Sequence, residues 1–231
     1  MGPTRRSIFS PELFAFLNGL ALNNHREWFE AHKQDYERVV REPALQFVRA
    51  VAPQLARLSD RFVASDRKVG GSLMRVFRDV RFSADKTPYK TNVGIQFRHR
   101  VGKDVHAPGF YVHLAPAECF VGAGVWHPDA AALSKIRAYL HANQSKYQRV
   151  ISGRKFRDRY RLGGDSLVRA PRGYADDHPL IDELKRKDHI AMVPLRVRQV
   201  TSPAFVDTVA DHFLAAKGYM ALLCAALELD F

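Results

Sequence analysis

Residues 75–90 read Arg-Val-Phe-Arg-Asp-Val-Arg-Phe-Ser-Ala-Asp-Lys-Thr-Pro-Tyr-Lys. Arg75, Arg78, Arg81, Lys86 and Lys90 alternate there with Asp79, Asp85, Phe77, Phe82 and Tyr89. Guanidinium forks fit carboxylate and phosphate oxygens, and lysines act as point charges. These residue types define an anion site, with Arg75, Arg78, Arg81 and Lys90 as ligand contacts, Tyr89 as a hydrogen-bond donor and Phe82 as a stacking surface. For catalysis, Asp79 and Asp85 are the candidate general bases, and Lys86, crowded by guanidinium groups, is the third candidate. The competing reading is a structural Arg–Asp network that pins a strand to its loop.

The same segment lies in the first of two basic windows. Residues 67–103 carry a net +8 and residues 146–172 a net +7, which leaves −3 for the rest of a chain whose formal charge is +12. Charge concentrated in this way suits a phosphate-bearing small molecule or a nucleic acid. A solvated basic surface explains the second window equally well.

Composition sets the class around these charges. At 231 residues, 46% hydrophobic and 26% charged, the chain has the make-up of a soluble globular protein with a sizeable core. No apolar run is long enough for a transmembrane helix, so no membrane partner is expected. The N-terminus lacks an apolar signal-peptide core. Cys119 and Cys224, far apart, fit a reducing cytoplasmic compartment.

The elements that must position the motif follow from periodicity. Ser10-Pro11 opens a helix with an apolar stripe of Leu13, Phe16, Leu17 and Leu20. Asn23-Asn24 ends it and can cap the next helix, which carries Trp28, Phe29, His32 and Tyr36; Pro43 starts a third that ends near Asp60. Alternation then marks strands at Leu73–Phe82, Val93–Phe97, Phe110–Leu114 and Cys119–Trp126, with a further one at Ile190–Val197. Pro128-Asp129 opens a helix facing inward through Leu133, Ile136 and Leu140, and a short basic helix spans Tyr147–Phe156. Ser202-Pro203 precedes a helix containing Phe205 and Phe213, and Gly218 separates it from a last one over Tyr219–Leu229. The sum is one α+β domain over residues 1–231, an antiparallel meander from about 73 to 126 plus a strand near 190–197, packed with N- and C-terminal helices. The motif would sit half on the first strand and half on its loop, Ser83 to Thr91.

Other patterns are weaker. His99, His106, His113 and His127 fall near the sheet without metal-ligand spacing, so neither a metal nor a cofactor is expected. Cys119 could face His113 across a hairpin, although a small buried core residue is the simpler account. Gly122 and Gly124, two apart on a strand, leave one face bare for a ligand or for another backbone. Gly163-Gly164-Asp165 reads as a turn.

The pattern Arg-x-x-Arg-Asp-x-Arg-Phe-Ser-x-Asp-Lys-x-x-Tyr resembles the signature of a bacterial and fungal family known as domain of unknown function 2461. Asn23, Asn24, Arg26, Trp28, Phe29, Gly122 and Gly124 extend the likeness along most of the chain. The resemblance adds weight to Arg75, Arg78, Asp79, Arg81, Phe82, Asp85, Lys86 and Tyr89 and implies no reaction. The sequence therefore points to a binding site for an anionic ligand, with nucleic-acid binding or a non-catalytic interaction role as the alternatives. It fixes neither an enzymatic activity nor an oligomeric state.

Overall fold

The computed structural model describes residues 6–102 and 107–231; Lys103 and His106 lie outside the described residues. Ser10 is extended, and Pro11 begins α1 (Pro11–Leu22), a position where its missing N–H costs nothing. Asn23 ends the helix by returning its N–H to the Gly19 carbonyl at 3.1 Å. His25, not Asn24, caps α2 (Arg26–Ala31), because the Asn24 amide is committed to Tyr89 instead.

Next come α3 (Lys33–Asp35), a π-helical turn at Tyr36–Arg41 and α4 (Glu42–Leu58). Pro43 cannot donate to the carbonyl four residues back and its ring crowds that carbonyl, so the turn before it widens. Val48, Val51 and Leu55 place the inner face of α4 in the core.

Five antiparallel strands follow in the spatial order β1-β2-β3-β5-β4: β1 (Val93–Arg98), β2 (Gly109–Leu114), β3 (Cys119–Val125), β4 (Arg161–Gly163) and β5 (His189–Leu195). Between β3 and β4 lie α5 (Ala130–Ala142), α6 (Gln144–Ser152) and α7 (Arg154–Arg157). Asp129 caps α5 by accepting the Ala132 N–H at 2.7 Å. The short helices α8 (Ile181–Lys185) and α9 (Val197–Val200) flank β5, and α10 (Phe205–Ala215) and α11 (Lys217–Ala226) finish the fold. This is the α+β class that the periodicity indicates.

Alternation splits the sheet into two faces. Ile95, Phe97, Phe110, Val112, Val121, Val125 and Ala191 are fully buried on the inner face, where α4, α10 and α11 pack. The Phe213 ring lies 4.5 Å from that of Phe110, and Phe9, Phe47 and Phe205 form an aromatic cluster behind it. Helices from both ends of the chain thus cover one side of the sheet and leave its middle strands open on the other.

Further expectations change. The meander's regular strands begin at Val93, because Leu73–Phe82 forms only isolated bridges, Leu73 to Ile95 and Phe77 to Tyr89. Ser72 and Met74 still pair with β1, at 2.8 and 2.9 Å, before the chain turns back on itself: Lys90 N–H donates to Val76 and Arg78 N–H to Pro88. Pro88 has no N–H to return to Arg78, so the ladder stops there and residues 79–87 become the hairpin tip. Gly218 lies inside α11, and Ala216 makes the break from α10. A Cβ on Gly218 would sit 3.3 Å from Val150 Cγ1, so the glycine lets α11 approach α6. Cys119 pairs with Leu114 and His113 with Phe120, which puts the two side chains on opposite faces and excludes a Cys119–His113 couple.

Candidate functional site

The open face of the sheet presents the residues that alternate with the core set. The strand register aligns Gln96, Tyr111, Gly122 and Met192 in one row across β1, β2, β3 and β5. Gly94, His113, Phe120 and Pro194 form the next row. His113 stacks on Phe120, with ring centroids 4.8 Å apart and planes within 5°. Tyr111 Oη lies 3.3 Å from His113 Nδ1. Burial lowers the His113 pKa and pushes that of Tyr111 up to about 12, so burial favours the neutral form of both partners.

Above this floor lies a cavity of about 640 Å³. The hairpin that carries the charged motif forms one wall and contributes Met74, Arg78, Asp79 and Lys90, and Trp126 stands at the end of β3. A volume of this size, with an apolar floor and a few polar groups on one side, is typical of small-molecule sites. A second cavity of about 370 Å³ lies beside the same hairpin, lined by Arg26, Glu30, Phe77, Arg78 and Tyr89 among others.

The charges pair in a definite order. Arg81 forks onto Asp79, with Nε 3.0 Å from Oδ1 and a terminal nitrogen 2.7 Å from Oδ2, and its backbone N–H also points at Oδ1. This holds the Asp79 carboxyl at about 2, below the ordinary carboxylate range. Asp85 accepts from Arg78 and from the Thr87 N–H, and its pKa is likewise about 2. Arg78 also reaches the Thr87 hydroxyl. Lys86 Nζ donates to the Val80 carbonyl at 3.0 Å and braces the hairpin tip. Lys90, like Arg78, lines the cavity half-buried, and burial together with the nearby Arg75 charge lowers its pKa.

The structure therefore divides the motif. Arg78, Asp79 and Lys90 face the main cavity. Arg75, Arg81, Asp85 and Lys86 are exposed outside its lining, and Phe82 is 96% exposed at the tip, with the Arg81 guanidinium 5.8 Å from its ring. Tyr89 is buried, stacked on Phe29 at 4.1 Å, and lines only the smaller cavity. Of the N-terminal residues, Arg26 reaches that smaller cavity, whereas Trp28 stacks on His32 at 4.1 Å and packs against Phe16.

Tyr111, His113, Phe120, Trp126 and Met192 join the site without having stood out as ligand contacts in the sequence. The one signal for them is the Gly122–Gly124 spacing, which marks the face on which they lie. Among the described residues, no group of three His, Cys, Asp or Glu side chains is placed to hold a metal ion, and no helix is long and apolar enough to cross a membrane.

The family model described as Conserved hypothetical protein (DUF2461) matches residues 12–221, a span that contains the charged hairpin, the whole sheet and most of the helices. The chain belongs to that family. It matches no curated protein.

Proposed function

We propose that the protein binds a small anionic ligand, carrying a carboxylate or phosphate, in the 640 Å³ cavity, with Lys90 as its charged contact. The observation that carries this reading is the pairing order. Asp79 and Asp85 neutralise Arg81 and Arg78, whereas Lys90 lines the cavity with a second cation, Arg75, close enough to act on it. An anion beside Lys90 would relieve the cost of holding that charge half-buried. In this reading the two aspartates position arginines. Carboxylates whose charged form is stabilised so strongly are poor proton acceptors at neutral pH.

Calorimetric titration with inorganic phosphate and with aromatic and aliphatic carboxylates and phosphates tests it. A charge-assisted hydrogen bond is worth about 1.5–3 kcal/mol, so Lys90→Gln should weaken a responding compound by about 10- to 100-fold. Equal affinity in Lys90→Gln would end the proposal. Binding of unrelated oligonucleotides that weakens steeply with salt, with no small-molecule response, would favour the nucleic-acid reading.

A further inference from the structure

The glycines around the cavity differ in why they are glycine. Gly124 has φ +141°, and a Cβ there would lie 2.0 Å from the His189 carbonyl oxygen, so the backbone demands it. A Cβ on Gly109 would sit 3.1 Å from the Phe97 carbonyl, and one on Gly94 would sit 2.6 Å from Tyr111 Oη. Gly122 is unlike these. Its backbone is not in the left-handed region, and a Cβ there would meet nothing closer than Tyr111 Cβ at 3.6 Å, an ordinary van der Waals contact. The fold would accept alanine.

Glycine in a strand interior is destabilising relative to alanine, and packing requires none of that cost at Gly122. The missing side chain leaves backbone in the cavity lining at the middle of the sheet, in a slot where Gly122 itself is buried and the Phe120 and Tyr111 rings come within 3.8 and 3.9 Å of the Cβ position. Tyr111 and Met192 are the cross-strand neighbours of this bare patch, and Phe120 and Gly124 lie two residues along the strand on either side. Trp126, two residues beyond Gly124, also lines the cavity. A slot with no side chain of its own, bordered by rings and a thioether, suits a planar π-system.

We infer that the ligand's body is a flat aromatic or heteroaromatic ring lying face-down on the backbone at Gly122, with its acidic group directed toward Lys90. This rests on the anionic-ligand reading and adds the shape of what that ligand must be. Trp126, in the same cavity lining, reports the ring when it arrives.

The test uses the full chain and two probes of equal charge and similar length: 2-naphthoate and its fully saturated decalin carboxylate. Binding is read by Trp126 fluorescence in a Trp28→Phe background and by calorimetry. The expected result is that 2-naphthoate binds at least tenfold more tightly than the saturated acid. Gly122→Ala should melt no lower than the parent and lose at least tenfold toward 2-naphthoate. Equal affinity for the two acids, or unchanged naphthoate binding in a folded Gly122→Ala variant, overturns the flat-ring inference and leaves the anionic-ligand reading standing. A Gly122→Ala chain that does not fold also overturns it, since the glycine would then be structural. If neither acid binds and no other carboxylate or phosphate does, the anionic-ligand reading falls with it.

Discussion

Asn24 holds the backbone of Tyr89 with both ends of its amide: Nδ2 donates to the Tyr89 carbonyl at 2.9 Å, and Oδ1 accepts the Tyr89 N–H at 3.0 Å. The side chain acts as a one-residue strand neighbour across a separation of 65 residues. Phe29, from the following helix, stacks on the Tyr89 ring, and Phe77 meets that ring from within the hairpin at 5.4 Å. The corner between α1 and α2 therefore fixes the base of the hairpin, one residue before Lys90. Asn24→Ala should cost about 1–3 kcal/mol, because it leaves a partly buried donor and acceptor without partners. The Tyr89 amide should lose hydrogen-exchange protection, and affinity at Lys90 should fall with it. Urea denaturation and amide exchange check this, and unchanged protection at Tyr89 would show that the amide grip is not what anchors the hairpin.

The two ion pairs of the motif make a prediction in acid. Asp79 and Asp85 both have pKa values near 2, compared with 3.8 for an ordinary aspartate, chiefly through hydrogen bonds from Arg81 and Arg78 respectively. A folded-state pKa below the unfolded one means that the pairing contribution is complete above about pH 4 and is lost as pH falls through 2. Both carboxylates should remain largely ionised at pH 3, as read by carbon-detected NMR titration of the aspartate side chains. Arg81→Ala should return Asp79 toward 3.8 and leave Asp85 in place, and Arg78→Ala should do the reverse. An Asp79 that titrates near 3.8 in the unaltered protein would show that the fork is absent in solution.

His189 is fully buried at the start of β5, and neither of its ring nitrogens is hydrogen-bonded to any of the described residues. Burial, reinforced by Arg186 and Arg137, lowers its pKa from 6.5 to about 3. The unfolded chain therefore takes up a proton below about pH 6.5 that the folded chain refuses, so this residue's effect is to erode stability as pH falls from 6.5 toward 3. Between pH 7 and 5 the loss amounts to about 2 kcal/mol, at 1.36 kcal/mol per pH unit. His189→Leu should be near neutral at pH 7, since it removes unpaired polar atoms at similar bulk, and should flatten the pH dependence by about that amount. Urea denaturation of both proteins at pH 7 and 5 gives the comparison; parallel losses in the two would exclude His189 as the source.

How much of this was legible beforehand varies with the range of the interactions involved. Val93, Ile95 and Phe97, like Phe110, Val112 and Leu114, alternate cleanly because one face of their strands is buried, and that pattern is local. Strand β4 is three residues on the sheet edge, too short to carry a period. Leu73–Phe82 alternates like a strand, yet its ladder depends on a partner segment containing Pro88. The charged wall of the cavity was visible as a dense run of residue types, although its internal pairing was not. The floor was hidden, because register alone brings Tyr111 beside Gly122 and His113 beside Phe120. Only the Gly122–Gly124 spacing hinted at it, and the sequence does not distinguish the glycine that the backbone needs from the one that it does not.

The chain that follows Trp126 is held by a buried carboxylate. Asp188 is 2% exposed and accepts the His127 N–H at 2.7 Å and the Asp165 N–H at 2.9 Å, while His127 Nδ1 lies 3.1 Å from it. Two left-handed residues deliver those amides, Gly164 at φ +90° and His127 at φ +46°. Glycine adopts that conformation freely, whereas a side-chain-bearing residue is held in it at a cost of about 1 kcal/mol. His127→Gly should therefore be more stable than His127→Ala by about 1 kcal/mol, since both lose the ring contact and only glycine sheds the strain. Asp188→Ala strips the partner from both amides and should cost on the order of 2–3 kcal/mol. Because His127 follows Trp126 directly and its ring lies 4.2 Å from the indole, Asp188→Ala and both His127 variants should shift the Trp126 emission, the first through the backbone and the other two through loss of the ring. Chemical denaturation and fluorescence of the three variants decide the matter. Equal stabilities for His127→Gly and His127→Ala would mean that residue 127 does not hold this backbone conformation in solution.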